Sequence, residues 1–208
     1  MGHPVLIEEA APGPLPRVGV LVREGEDPEP YMAAVRHGEG EPVAIDPEKP
    51  LPADVGGLLV GGSVHLSPEE TVPMALADAI DRDLPVLGVG WGMHALNHAL
   101  GGGTPRPVEG CEKARKTVFI SPGAKLSYTI AGSGWVGIPV DHTHGLLPAD
   151  VADGMLASCY SEDRVVYTIE KPGRHWLIGV QWHAELVNEM PSSFDSLLLA
   201  LVERSVPG

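Results

Sequence analysis

The chain reads as a doubly wound α/β domain. Short, nearly all-apolar runs of the kind buried on both faces of a parallel sheet recur in the first half: "RVGVLV" (17–22), "PVAID" (42–46), "VGGLLVGG" (55–62) and "PVLGV" (85–89). Strand-like and helix-like stretches alternate through roughly the first 100 residues. The 26 glycines and 21 prolines gather at the joints between these stretches and read as turns.

Residues 1–16 are rich in Pro, Ala and Glu and read as a tail, with a single domain from Arg17 to residue 208. After the first strand, Asp27 can cap a helix and Pro28 suits its first position. Tyr31, Ala34 and Val35 share the apolar face of that helix, and Gly38 ends it. After the third strand a glycine loop leads to "SPEE", where Ser67 as N-cap, Pro68 and Glu70 predict a helix start. Val72, Leu76 and Ile80 would lie on one face of the helix that follows. The fourth strand again feeds a helix. From about residue 117 the character changes, and "KTVFI", "LSYTIAG", "WVGIPV", "GMLASCY", "RVVYTIE" and "HWLIGVQW" predict short strands, an antiparallel addition plus the last core strand. Phe194, Leu197, Leu198, Leu201 and Val202 predict a closing amphipathic helix.

Composition excludes several functions. A net charge of -14 repels nucleic acid and anionic membranes, so neither is expected as a partner. Two cysteines, Cys111 and Cys159, make no disulfide framework, and each reads as a small buried or loop residue. The N-terminal stretch lacks the basic start and apolar run of a signal peptide, and no run of about 20 apolar residues occurs. A soluble cytoplasmic protein is the expectation, with a homo-oligomer left open.

Three separated stretches carry the functional signal: "LLVGG" (58–62), "PVLGVGWGMHALNHALGG" (85–102) and "GVQWHAE" (179–185). In that order they resemble the glycine loop, nucleophile elbow and His-x-Glu motif of class I glutamine amidotransferases, nearest to the γ-glutamyl hydrolase branch such as γ-glutamyl-γ-aminobutyrate hydrolases. The resemblance spans about residues 17–204 and implies a flavodoxin-like fold, a mostly parallel central sheet with helices on both faces and a small antiparallel addition. It also implies chemistry. In the family an elbow cysteine attacks a glutamine-type carboxamide and forms a γ-glutamyl thioester. A thiol at a helix N-terminus is acidified by the helix dipole, a histidine shuttles the proton and a carboxylate orients that histidine. His183 and Glu185 match the last two roles. The N–H of Trp91 and one from the Gly61–Gly62 loop match the oxyanion donors.

The nucleophile position itself is Gly90. Without a thiol no thioester forms, so the resemblance implies loss of ordinary amidase chemistry; a water-based mechanism, a relocated nucleophile or a sequence altered at this position are the alternatives. Two further departures change the pocket. The family's glutamine four positions after the nucleophile is His94, and its arginine is Trp91. The stretch "VDHTHGL" (140–146) keeps a histidine at His144 but not the family's glutamine, which puts recognition of a free α-amino acid group in doubt.

Other readings of the same residues are weaker. His94 and His98 share a helix face, and His142, His144 and His183 could approach it, yet no complete zinc spacing occurs, so neither a metal nor another cofactor is expected. "GVGWG" lies on the fourth strand and lacks GxGxxG spacing, which argues against a dinucleotide. "EKARK" (112–116) reads as a solvated basic loop, and Trp91 either stacks a flat ligand or fills space left by the thiol. Two functions follow as expectations. One is a catalytically silent relative binding a small γ-glutamyl-like or other carboxylate ligand, or regulating a partner enzyme, through the old pocket. The other is a hydrolase in which His183 and Glu185 activate water; a metal-dependent hydrolase on His94, His144 and His183 stands behind both.

Overall fold

Strand β1 (Arg17–Val22) lies between β2 (Glu41–Ala44) and β3 (Gly57–Gly61), paired in parallel with each, because its apolar residues need cover on both faces. A computed structural model of the chain describes residues 13–64 and 71–206. The parallel ladder continues through β4 (Val86–Val89) to β11 (Leu177–Val180), the last strand of the chain. Beyond β11 the sheet turns antiparallel. Strands β10 (Val166–Glu170), β9 (Leu156–Ser161), β6 (Ala114–Ile120) and β7 (Gly134–Val140) complete nine strands in the order β2-β1-β3-β4-β11-β10-β9-β6-β7. A separate ribbon pairs β5 (Arg106–Pro107) with β8 (His144–Gly145).

Among the described residues five α-helices cover the sheet: α1 (Glu29–His37), α2 (Met74–Asp81), α3 (Trp91–Ala99), α4 (Lys125–Thr129) and α5 (Ser196–Arg204). One core joins α1, α4 and α5 to Val18, Val20, Leu59, Leu87 and Ile178. The other joins α2 and α3 to Leu21, Leu58, Val60, Val86 and Leu177. Alternate residues of each strand therefore feed opposite cores, as the two-residue strand period requires. A cradle of glycines lets α3 lie close on the sheet: a Cβ at Gly92 would collide with the Val60 carbonyl.

Most elements fall where the sequence places them. Asp27 Oδ1 accepts the Glu29 N–H at 3.0 Å, Tyr31, Ala34 and Val35 are buried, and Gly38 closes α1. All five residues of the predicted apolar face around α5 are buried. The Ser67–Pro68–Glu70 helix start, like residues 1–12 of the tail, lies outside the described residues. In α2 Leu76 is buried and Ile80 half-buried, while Val72, expected on the same face, precedes the helix and is half-buried there.

Two predictions are corrected: Ala114–Lys116 of "EKARK" are not a loop but open strand β6, paired with Ile138–Val140 of β7. "LSYTIAG" is not a strand but the helix α4 and its exit. The buried carboxylate of Glu170 accepts the N–H groups of Lys125 (2.7 Å) and Leu126 (3.1 Å), so a residue 45 positions away caps this helix. Leu126 and Ile130, four apart, are buried, whereas Tyr128 points outward. Among the described residues no helix is long and apolar enough to cross a membrane.

Candidate active site

The carboxyl ends of β1, β3, β4 and β11 converge on one edge of the sheet, and strand order reverses between β1 and β3 at that edge. Ligands of open α/β sheets bind outside strand ends at such a reversal. Four features of the sequence arrive there: Tyr31 on the helix after β1, Gly61–Gly62 after β3, Gly90 after β4, and His183 with Glu185 after β11.

Gly90 is the hinge between β4 and α3, with φ +56° and ψ -113°. Its N–H donates to Val180 O at 2.8 Å, which fastens the turn to β11. Left-handed φ is strained for any residue with a Cβ, and here a Cβ would also collide with the carbonyl oxygen of Gly62. That same oxygen accepts the Trp91 N–H at 2.8 Å. The Gly62–Ser63 peptide thus directs its carbonyl into the elbow and its N–H to Glu26 Oε1 at 2.6 Å, while the Gly62 N–H, in the preceding peptide, faces the hydroxyl of Tyr31. Burial, together with the negative charges of Glu185 and Glu26, pushes the Tyr31 hydroxyl up and keeps it protonated.

His183 and Glu185 are brought together. His183 Nδ1 lies 2.7 Å from Glu185 Oε1, and the Glu185 side chain is only 5% exposed. The hydrogen bond to Glu185 holds the His183 pKa above its ordinary value against the opposing effect of burial. Trp182, fully buried against Phe194 with ring centroids 5.5 Å apart, anchors the segment that carries the pair. The pair lines a cavity of about 630 Å³ whose other walls include Tyr31, Pro30, Val140, Leu186 and Met190. Gly90 and Trp91 are not part of that lining, and Trp91 is buried.

The other histidines singled out in the sequence go elsewhere. His94 is buried, its Nε2 2.7 Å from Gln181 Oε1; Gln181 in turn donates through Nε2 to His144 O at 3.2 Å. Since the Gln181 oxygen can only accept, His94 Nε2 carries the proton. Burial lowers the His94 pKa to about 4, so it is neutral at physiological pH. His144 Nδ1 lies 3.0 Å from Thr143 Oγ1. His142 is buried edge-on against Tyr167, with ring centroids 5.5 Å apart. His98 is half-buried in the last turn of α3. Among the described residues no three His, Cys, Asp or Glu side chains are placed to hold a metal ion. Cys111 and Cys159 are both buried, and burial pushes the Cys159 thiol up, away from a reactive thiolate. The sequence does not announce the cavity role of Tyr31, which its helical spacing marks only as core, of Asp27, which it marks only as a helix cap, or of Glu26, Asp141 and Glu189.

A family model described as Peptidase C26 matches residues 59–185, from the middle of β3 to Glu185. The chain belongs to this family, and with it to the class I glutamine amidotransferases. Three relatives fit that placement. A Mycobacterium tuberculosis protein named as a glutamine amidotransferase is 26% identical over 81% of this chain and 66% of its own length. A Schizosaccharomyces pombe protein with the same description is 25% identical over 86% of this chain and 82% of its own. A glutamine-hydrolysing GMP synthase of Carboxydothermus hydrogenoformans is 29% identical over 68% of this chain, which matches only 26% of that longer protein. Among solved structures, a GMP synthase subunit protein from Thermoplasma acidophilum superposes with a TM-score of 0.70 at 14% identity, over 91% of this chain and 94% of that one. A glutamine amidotransferase of Methylobacillus flagellatus gives 0.62 at 18% identity, over 88% and 73%. Both share the flavodoxin-like α/β fold, with its large, mostly parallel sheet.

Proposed function

We propose that this Peptidase C26 member is a catalytically silent glutamine amidotransferase-like protein, of the γ-glutamyl hydrolase type, that binds a small ligand or regulates a partner enzyme through the cavity beside His183 and Glu185. The observation that carries the reading is the position of the Gly62 carbonyl. It occupies the space a nucleophile's Cβ would need at residue 90 and takes up the Trp91 N–H that would stabilise an oxyanion. Nucleophile and donor are thus both missing from one place. The alternative, water activated by the His183–Glu185 pair, is favoured by their 2.7 Å contact but has no free Trp91 N–H to receive the developing charge. The relatives that are named for GMP synthesis or amide transfer make a partner enzyme a natural site of regulation.

The test is release of ammonia and glutamate from glutamine and a panel of γ-glutamyl amines by the wild-type chain and by Gly90→Cys. The reading expects no turnover in the wild type and little in the variant, because the added Cβ meets the Gly62 carbonyl. Turnover by the wild type that survives Gly90→Cys and is lost in His183→Ala would establish the water mechanism instead.

A further inference from the structure

The cavity that makes this site a binding site also has a charge. Its lining contributes five carboxylates, Glu26, Asp27, Asp141, Glu185 and Glu189, against Lys113 and His183, and His183 is already paired with Glu185. Among the described residues, Glu26, Asp27 and Glu189 form no ion pair; Glu26 Oε1 accepts the Ser63 N–H at 2.6 Å, and Asp27 Oδ1 is taken by Glu29 N. The same lining includes Pro30, Leu186, Met190 and Tyr31. A cavity lined by both apolar side chains and an excess of carboxylates attracts a compact cation that carries a hydrocarbon segment, and repels a carboxylate.

We infer that the cavity takes a small aliphatic amine in its ammonium form rather than the carboxylate ligand that family resemblance suggests. The inference rests on the proposed binding role of the cavity but not on the absence of catalysis, which the glutamine assay addresses separately. An amine of four or five carbons fits comfortably in about 630 Å³, with its methylenes against Leu186 and Met190 and its charge among Glu26, Asp27 and Glu189.

Isothermal titration of the full chain with butane-1,4-diamine and with glutarate, at physiological ionic strength, tests it. The diamine should bind at one site and at least tenfold more tightly than glutarate. An Asp27→Asn/Glu189→Gln double variant should weaken the diamine by roughly fivefold to twentyfold, as expected for two partly exposed charge contacts. Glu162→Gln/Glu203→Gln, which removes two exposed acids outside the lining, should leave affinity within twofold. Equal weakening by both double variants would mean that only the overall acidity attracts the amine, and would overturn the inference. So would tighter binding of glutarate, or no binding of the diamine at all.

Discussion

The carbonyl oxygen of Gly62 accepts the backbone N–H of Trp91 at 2.8 Å, directly over the position where Gly90 lacks a side chain. Each residue makes sense only with the other. A side chain at 90 would force the Gly62 peptide away, and with Gly90 in place that peptide settles into the elbow and closes it.

Gly90→Cys should therefore be costly without being useful. The left-handed φ and the collision with Gly62 predict a loss of about 2 kcal/mol, within the range for strained non-glycine residues. For a chain of this size that is a fall of roughly 4–8 °C in Tm, measurable by calorimetry.

The His183–Glu185 pair has a predictable pH signature. Because its folded-state pKa is raised, protonated His183 stabilises the fold fully below its unfolded pKa of about 6.5, and the stabilisation is lost as pH rises through the folded value. Glu185→Gln should lower the His183 pKa toward its ordinary value in an NMR titration and should destabilise the chain more at pH 5 than at pH 9.

His94 works with the opposite sign. Its folded pKa of about 4 means that the unfolded chain binds a proton between pH 6.5 and 4 that the folded chain refuses. Stability is lost over that window as pH falls, by roughly 3 kcal/mol at 1.36 kcal/mol per unit. His94→Gln, which preserves a hydrogen-bonding partner for Gln181, should flatten this part of the acid slope in urea denaturation.

Glu170 caps α4 from a distant strand. Glu170→Ala should cost about 3 kcal/mol, because two N–H groups lose a charged acceptor at a buried helix start. Glu170→Gln, which keeps one acceptor oxygen, should recover part of that, as read by chemical denaturation.

These sites differ in how far the sequence announces them. The parallel strands are visible because burial on both faces demands unbroken apolar runs, and α5 because its leucines keep helical spacing. The helix α4 is hidden: five residues carry too little periodicity, and its cap comes from Glu170, far along the chain. His183 and Glu185 are legible because they sit two apart in a recognisable stretch. The orientation of the Gly62–Ser63 peptide is not, because glycine permits either direction and its carbonyl and N–H are taken by Trp91 and Glu26 from other elements. The acidic cavity is equally invisible in a linear reading, since its carboxylates come from the start of α1, the end of β7 and the loop after β11.

The most direct test is glutamate release from L-glutamine by the wild-type chain, followed at near-stoichiometric enzyme so that even slow turnover registers, with His183→Ala alongside. The account predicts no release above buffer and no difference between the two proteins. Glutamate formed by the wild type and abolished by His183→Ala would contradict it, and would mean that the Gly62 carbonyl leaves the elbow when substrate arrives.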